Sequence, residues 1–244
     1  MTWNEQTYGA RWANSYDEQP WPDPKEAVDF LAELAGDEPL LELAIGTGRI
    51  AVPLVERGVE VHGIDISEAM IARLREKPGG KDIPVERSDL RDFTTSRSYR
   101  TVVLVLNTIY ALADQEEQIA CFRQAAKALE PGGRFVVEAF VPDVTRFHRG
   151  SRAHVYDVGV GHVTIEADVH DRAKQTVLEQ HVRITEQGIT MLPAFLRYIH
   201  PSEMDLMAKL AGLELENRYG GWQREPYTAE SENQISVYRA PLGS

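Results

Sequence analysis

The sequence has few of the features that mark secreted and membrane proteins. It contains one cysteine, Cys121, so no internal disulfide can form. Its longest apolar region, residues 101–113, is interrupted by Asn107 and Thr108 and is shorter than the roughly 20 residues that cross a bilayer. Residues 1–10 lack the basic and then apolar order of a signal peptide. We therefore expect a cytoplasmic protein with no membrane partner.

Positive charge is also scarce. The chain has 26 lysines and arginines against 38 acidic residues, which gives a formal net charge of −12. A protein that binds DNA or RNA needs a basic surface that releases counterions from the phosphates. Nucleic acid is therefore a poor candidate partner.

Closely spaced metal ligands are missing as well. The chain has seven histidines, but His154, His162 and His170 are eight residues apart. That spacing matches neither a close-spaced zinc site nor a facial triad, and one cysteine provides no thiolate cluster. We predict no metal.

The pattern around which the chain is arranged lies at residues 40–54, LLELAIGTGRIAVPL. An apolar run ends in a turn that contains Gly46 and Gly48, and apolar residues then recur at helical spacing. This order predicts a buried strand, a glycine turn and a helix. Two glycines separated by one residue allow a ligand to touch the backbone.

Two ligands are compatible with this turn. Residues 46–51 fit the dinucleotide fingerprint G-x-G-x-x-A, in which a pyrophosphate lies on backbone N–H groups at the start of a helix. Glu42, however, lies inside the strand, where a carboxylate suits a ligand with a cationic amine and a sulfonium. Asp65 ends the next strand, and such an acid typically holds a ribose diol. Glu42 favours S-adenosylmethionine over NAD.

Five segments then carry a family resemblance. In chain order they are LELAIGTGRIAVPL, VHGIDISEAMIARLR, VERSDLRDF, TVVLVLNTIYAL and ALEPGGRFVVEAF. They resemble the signature segments of class I S-adenosylmethionine-dependent methyltransferases, over about residues 38–140. The tail, FLRYIHPSEMDLMAKLAGLELENRYGGWQREPYTAESENQISVYR, resembles small-molecule members such as the sugar N,N-dimethyltransferases of actinobacterial natural-product pathways. Ala44 departs from the pattern, because the family often has glycine there.

The resemblance implies an α/β fold, a Rossmann-like sheet of seven strands flanked by helices. Its expected strand order is 3-2-1-4-5-7-6, with strand 7 antiparallel. Between residues 141 and 196 the strand–helix alternation lapses, and stretches such as 162–166, 176–179 and 180–185 predict antiparallel strands. At 244 residues the chain is short for two ordinary domains. We predict one methyltransferase domain, 1–244, with a β lid inserted at 141–196 after strand 5.

The resemblance also assigns a cofactor site. Asp89 can accept a hydrogen bond from the adenine amino group while Leu90 and Ile66 enclose the ring, although Asp89 also suits a simple turn. An N-terminal helix that closes over the methionine end would give Tyr16, and with it Tyr8 and Arg11, a ligand role; packing of its aromatic residues on the core is the alternative. The predicted cofactor-binding residues are Tyr16, Glu42, Ala44, Gly46, Gly48, Asp65, Ile66, Asp89, Leu90 and Leu106.

Candidates for the acceptor site lie near strand ends and in the tail. Tyr110 follows the fourth strand, predicted at 101–106, and Glu138 ends the fifth. Tyr198, His200 and Trp222 lie in the tail. Aromatic side chains there can stack on a sugar face, or Tyr198 and Trp222 can instead pack the base of the lid. We predict Tyr110, Glu138, Tyr198 and Trp222 as substrate-binding residues.

The chemistry depends on the acceptor. An alcohol needs a base that removes its proton, for which Glu138, His148, His181 and His200 are candidates. A neutral amine needs little beyond alignment and desolvation. We take Glu138, His200 and Tyr110 as the catalytic candidates.

The predicted function is S-adenosylmethionine-dependent N- or O-methylation of a soluble small molecule. An amino sugar or another intermediate of antibiotic biosynthesis is the favoured acceptor, and a homodimer is left open. Two alternatives remain: an NAD-dependent oxidoreductase that uses the same glycine turn, and a non-catalytic methyltransferase-like binding subunit.

Overall fold

A seven-stranded sheet and a four-stranded sheet make up the β structure of the described residues. The computed structural model describes Gly9, residues 11–147 and residues 150–243. In chain order the strands are β1 (Leu40–Leu43), β2 (Val61–Asp65), β3 (Val85–Arg87), β4 (Tyr99–Leu104), β5 (Leu129–Phe140), β6 (Ser151–Gly159), β7 (His162–Asp171), β8 (Thr176–Thr185), β9 (Gly188–Arg197), β10 (Glu214–Tyr219) and β11 (Asn233–Arg239).

The larger sheet has the order β10-β11-β5-β4-β1-β2-β3. Strands β1 to β5 are parallel, whereas β11 is antiparallel to both β5 and β10. Because β10 and β11 are the sixth and seventh strands of this sheet, the predicted order 3-2-1-4-5-7-6 with an antiparallel seventh strand is confirmed. The fourth strand lies two residues earlier than predicted: β4 ends at Leu104, and the backbone then turns through positive φ at Leu106 and Asn107.

Helices pack on the large sheet. They are α1 (Lys25–Ala35), α2 (Ala51–Glu56), α3 (Glu68–Glu76), α4 (Gln115–Ala128) and α5 (Pro201–Leu210). The side chain of Ser67 accepts a hydrogen bond from the backbone N–H of Met70 (3.3 Å), and Asp114 accepts one from Glu117 (2.9 Å). These bonds satisfy N–H groups that the first helical turn leaves without a partner.

The large sheet is buried on both faces, as parallel sheets are. Along β4 and the residue after it, Val102 and Leu104 belong to one core, and Val103 and Val105 belong to the other. Helices α4 and α5 cover the first face, and α1 and α2 cover the second. Both faces are therefore filled by the core, and the carboxyl edge of the sheet is left for a ligand.

Strands β6 to β9, which we call the inserted sheet, pair in chain order and are all antiparallel. They run from Ser151 to Arg197, so they occupy most of the predicted 141–196 insertion. Strands β6 and β9 were not among the predicted stretches. A bulge between Val155 and Asp157 interrupts the alternation of β6, and Pro193 weakens the strand signal of β9.

The N-terminal segment packs against the inserted sheet. The indole N–H of Trp12 donates to the carbonyl oxygen of Pro193 in β9 (2.9 Å), and the Trp12 ring meets the edge of His181 at 5.3 Å between centroids. Trp12 is buried. This segment and the inserted sheet therefore enclose the same space.

Candidate functional site

A cavity of about 410 Å³ lies at the carboxyl edge of the large sheet. One side is formed by residues at the ends of β1, β2, β3 and β4, and the opposite side by the inserted sheet. Eight of the predicted cofactor residues line it: Tyr16, Ala44, Gly46, Asp65, Ile66, Asp89, Leu90 and Leu106. Glu42 and Gly48 lie outside this lining.

Two backbone N–H groups fix the orientation of Asp65. Gly46 donates to one carboxylate oxygen and Ser67 to the other, each at 2.7 Å. Burial raises the pKa of Asp65, while these two hydrogen bonds act in the opposite direction. Each oxygen keeps a further lone pair, so the carboxylate is held ready to accept hydrogen bonds from a diol.

The turn after β1 places three residues at positive φ: Ala44 (53°), Gly46 (57°) and Gly48 (80°). A Cβ atom at Gly48 would lie 2.3 Å from Leu74 Cδ1 on α3, so Gly48 permits close packing of the turn. Ala44 adopts a conformation that favours glycine, which gives a physical reason for the glycine that the family often has there.

Ala44 offers a direct test of this backbone geometry. Ala44→Gly is expected to raise the free energy of unfolding by about 1 kcal/mol, because it relieves a left-handed conformation that L-residues adopt at a cost. Urea unfolding measures the change. Ala120→Gly in the middle of α4 is the control, and it should lower the free energy by about 1 kcal/mol. Equal losses in the two variants would contradict a left-handed Ala44.

Glu42 lies beneath the turn, and it is 3% exposed. Burial raises the pKa of Glu42 to about 8, and Arg49 acts in the opposite direction. Its Oε2 atom accepts no hydrogen bond from the described residues. An orphaned carboxylate oxygen under the turn fits a ligand that carries a cationic group.

Asp17 attaches the N-terminal segment to the same turn, and Tyr16 precedes it in the chain. The Thr47 hydroxyl donates to Asp17 Oδ1 at 2.7 Å. The ring of Tyr16 packs on Trp21 at 5.1 Å, and burial raises the pKa of Tyr16 to about 12, which keeps its phenol protonated. Tyr8 lies outside the described residues.

Asp89 reaches the cavity while it is paired with Arg91. Its Oδ1 atom accepts from the backbone N–H (2.9 Å) and from Nε (2.8 Å) of Arg91. Burial raises the pKa of Asp89, but the bonds with Arg91 outweigh it and hold the pKa below its usual value. Asp89 is therefore an ionised acceptor at neutral pH.

Three of the acceptor candidates, Tyr110, Glu138 and Trp222, lie outside the cavity lining. Each is hydrogen-bonded to another part of the chain. The fully buried Tyr110 donates its hydroxyl to the carbonyl oxygen of Phe140 (2.7 Å). Glu138 accepts from the backbone N–H of Leu106 (2.8 Å) with one oxygen and from Trp222 Nε1 (3.1 Å) with the other. Glu138 thus holds the turn that carries Leu106 at the cavity.

Of the remaining candidates, His181 lies in the cavity lining, whereas Tyr198 and His200 are separate from it. The Tyr198 hydroxyl is hydrogen-bonded to His170 Nε2 (2.9 Å), and its ring is buried. His200 is exposed at the start of α5. His148 lies outside the described residues. The structure therefore brings the cofactor candidates together but not Tyr110, Glu138, Tyr198, His200 and Trp222.

The opposite side of the cavity carries ionisable side chains that the sequence patterns did not single out as a group. We call Arg146, Tyr156, Glu166, Glu179 and His181 the ionisable wall. The strand register pairs Glu166 with His181, and Asp168 with Glu179. Opposed residues of paired strands project on one face. Two sequence motifs could have predicted this wall: E-x-D at 166–168 and E-x-H at 179–181, if they had been placed on paired strands.

Negative charges are concentrated in the ionisable wall. Burial, followed by the charges of Glu179 and Asp168, raises the pKa of Glu166 to about 7. His181 Nε2 lies 3.7 Å from Glu166 Oε2 and 3.9 Å from Glu179 Oε2. Arg146 lies 3.9 Å from Glu179. These groups are too far apart for hydrogen bonds among themselves.

Comparison with known proteins now identifies the family. A family model described as a methyltransferase domain matches residues 40–133. The cypemycin N-terminal methyltransferase of a Streptomyces species is 32% identical over 202 residues, which are 81% of each chain. The chain belongs to the S-adenosylmethionine-dependent methyltransferases.

Two further methyltransferases are similar to it. The structure of the CcbJ methyltransferase from Streptomyces caelestis has a TM-score of 0.93 and 40% identity, and the match covers 98% of this chain and all of that one. A dTDP-3-amino-3,4,6-trideoxy-α-D-glucopyranose N,N-dimethyltransferase from Streptomyces venezuelae is 32% identical over 41% of each chain. The predicted family, fold, enzyme class and cofactor are confirmed.

Several residues could hold ligands in this methyltransferase. The orphaned oxygen of Glu42 and the oriented carboxylate of Asp65 fit a methyl donor with a cationic end and a ribose. Two groups, His154 with Glu166 and Asp168, and Glu166 with Glu179 and His181, place ligand atoms within 4.8 Å of one another and could hold a metal ion. None of the helices among the described residues has the length and apolar character that a bilayer crossing requires.

Proposed function

We propose that this methyltransferase methylates the nitrogen of an amine in a small molecule. The observation that carries this proposal is the position of Glu166 and Glu179 in the lining of the same cavity as Asp65. Carboxylates in a partly buried cavity attract a cation and repel an anion. Arg146 in the same wall offsets one of the two carboxylates, and the other favours an amine that is protonated in water over a carboxylic acid or a phosphate.

The named relatives support the same acceptor chemistry. One is an N-terminal methyltransferase and another is an aminosugar N,N-dimethyltransferase, so both act on amines. Transfer to an amino sugar or another natural-product intermediate is the substrate class that we favour. Tyr156 in the ionisable wall supplies a ring that can stack on such a molecule.

The reaction needs alignment and exclusion of water. S-adenosylmethionine supplies a methyl group on a positively charged sulfur, which a nucleophile displaces in line. Trp12, Leu106, Phe140 and Leu196 line the cavity and exclude water from it. Holding the two reactants in one orientation supplies a large part of the acceleration. In this chain Asp65 orients the cofactor, and the ionisable wall orients the acceptor.

A screen of acceptors tests the proposed function. Purified protein is incubated with S-adenosylmethionine and with aminosugars, peptides with free N-termini, phenols and carboxylic acids, and products are identified by mass spectrometry. We expect a gain of one or two methyl groups on nitrogen. The N-acetyl derivative of each active aminosugar is the matched control, and it should be inert because its nitrogen is no longer nucleophilic. Methylation on oxygen only, or activity confined to a macromolecule such as tRNA, would contradict the proposal.

A further inference from the structure

We infer that the outer face of the inserted sheet binds a second copy of the chain, so that two inserted sheets pack against each other across a two-fold axis. The outer face consists of the odd-numbered residues 163–169 of β7 and their cross-strand partners on β6, β8 and β9. It lies on the opposite side of the sheet from Glu166, Glu179 and His181, because successive residues of a strand point to opposite faces. This interface is independent of the proposed acceptor.

The two faces of the inserted sheet have an unusual distribution of polarity. The face that carries the ionisable wall holds Glu166 and Asp168, and both are buried. On the outer face Ser151 and Gln180 are the polar residues, and none of its residues is charged. A sheet with one solvated face normally turns its apolar side to the core and its polar side to water. Here the apolar side is left for another molecule.

Large apolar side chains of the outer face are open to solvent. Val158 and Val169 are 71% and 61% exposed, and Ile189 and Met191 are 67% and 53% exposed. No hydrophobic core found among the described residues includes a residue of this face. Single exposed apolar residues are normal, whereas a contiguous patch of them marks a binding surface.

The shape of the outer face is complementary to itself. One row across the four strands runs from Val155 to Met191 and contains only branched or long apolar side chains, which form a ridge. The next row begins with Ala153 and Ala167, and a groove of about 680 Å³ lies there. A two-fold axis can seat the ridge of each copy in the groove of the other, which is the isologous contact of a homodimer.

The distribution of charge also favours a second copy. The chain has a formal net charge of −12, and like charges that meet across an interface cost free energy. Two copies can therefore approach closely only where acidic side chains are scarce, as they are on the outer face. The ionisable residues that line the groove are Arg146, Arg152 and Asp168, among which the cations outnumber the acid.

The area of the outer face is sufficient for a dimer. Its strands have nine or ten residues each. With ~3.3 Å per residue and ~4.8 Å between strands, the face measures about 30 by 19 Å, or roughly 570 Å² in flat projection. Two copies would bury roughly 1,100 Å² before the height of the side chains is counted, which is close to the ~1,200 Å² at which stable interfaces begin. Packing of the two sheets about 10 Å apart would bury both apolar faces.

Sedimentation velocity of the full chain tests this inference. Wild type should sediment at twice the mass of the chain at micromolar concentration. Met191→Glu places a charge in the ridge of both copies and should raise the dimer dissociation constant by about 100-fold. Leu206→Glu on α5 is the matched control, because Leu206 is 59% exposed and lies outside the inserted sheet, and this variant should remain dimeric.

A second variant separates loss of the interface from loss of the fold. Ala167→Tyr fills the groove with an uncharged residue that strands favour, and it should also weaken the dimer. Circular dichroism of each variant shows whether the chain is folded.

A measurement on wild type then locates the interface. In protein labelled with ¹³C at the methionine methyl groups, the Met191 resonance should shift when the dimer dissociates on dilution. The resonances of Met70, Met204 and Met207 should not shift, because these residues are buried within the chain. Met191→Leu assigns the resonance.

Four results would overturn the inference. They are a wild type that is monomeric at every concentration, a dimer that Met191→Glu and Ala167→Tyr both leave intact, equal weakening by Met191→Glu and Leu206→Glu, and a Met191 resonance that ignores dissociation. A monomeric wild type that floats with phosphatidylcholine vesicles, when Met191→Glu does not, would assign the outer face to a lipid surface instead. Because none of these measurements uses an acceptor, failure of the amine screen would leave the dimer interface intact.

Discussion

Arg197→Met is expected to lower the free energy of unfolding by about 3–5 kcal/mol, since it removes one partner of a buried ion pair. Arg197, at the end of β9, is 7% exposed. Its guanidinium donates to Gln118 Oε1 on α4 (2.6 Å) and to Glu203 Oε1 on α5 (2.7 Å). The variant leaves the Glu203 carboxylate without its cation in a largely buried place.

Urea unfolding followed by circular dichroism measures this loss. Lys25→Met is the control, because it removes one side of an exposed ion pair with Asp29 on α1, and it should leave the unfolding curve unchanged. Arg197→Met with Glu203→Gln should recover part of the loss, because the double variant no longer buries an unpaired charge. Equal curves for Arg197→Met and Lys25→Met would refute the structural importance of this network.

The ion pair of Arg197 and Glu203 makes the free energy of unfolding depend on pH. Burial raises the pKa of Glu203, but its bonds with Gln175 and Arg197 outweigh burial, and the net pKa is lowered. A group whose pKa is lowered by folding contributes stability above its unfolded pKa, about 4.3 for glutamate, and loses it as the pH falls through the folded value. The difference between wild type and Arg197→Met should therefore shrink below pH 4.

Asp65→Ala should weaken the binding of S-adenosylmethionine by 1.5–3 kcal/mol, a roughly ten- to hundredfold rise in Kd. The alanine removes a carboxylate whose two oxygens are already oriented by Gly46 and Ser67. A ribose diol that donates to both oxygens would lose two charge-assisted hydrogen bonds.

Isothermal titration with S-adenosylmethionine measures this effect. Asp82→Ala removes the same charge from an exposed position outside the cavity and should bind normally. Because Asp65 also accepts from two backbone N–H groups, the unfolding curve of the variant is recorded separately to show that it is folded at the titration temperature. An unchanged Kd in folded Asp65→Ala would contradict the ribose assignment.

The fold, and the position of most cofactor candidates around one cavity, could be predicted because their signals are local. The strand, turn and helix around Gly46 lie within fifteen consecutive residues, residues 40–54, and Asp65 is placed by the end of a single strand. Each element also agrees with the general rule that ligands bind at the carboxyl edge of such sheets. Local patterns and the family resemblance together grouped eight of the ten cofactor candidates at one cavity.

The ionisable wall could not be predicted from the same kind of signal. Glu166 and His181 are 15 positions apart and become neighbours only through the register of β7 with β8. The position of a residue at the end of a strand does not specify the direction of its side chain. Glu138 accepts hydrogen bonds from Leu106 and Trp222, and Tyr110 donates one to the carbonyl oxygen of Phe140. Those directions depend on tertiary packing.

The ionisable wall and the cofactor residues differ in how the chain encodes them. The wall lies between Arg146 and His181, in one continuous stretch, whereas the cofactor residues are dispersed from Tyr16 to Leu106. With the acceptor role proposed for the wall, one recombination event with two crossovers would exchange the acceptor preference and leave the predicted cofactor residues unchanged. Divergence among such enzymes is accordingly expected to concentrate in this stretch, with new acceptors arising faster than new donors.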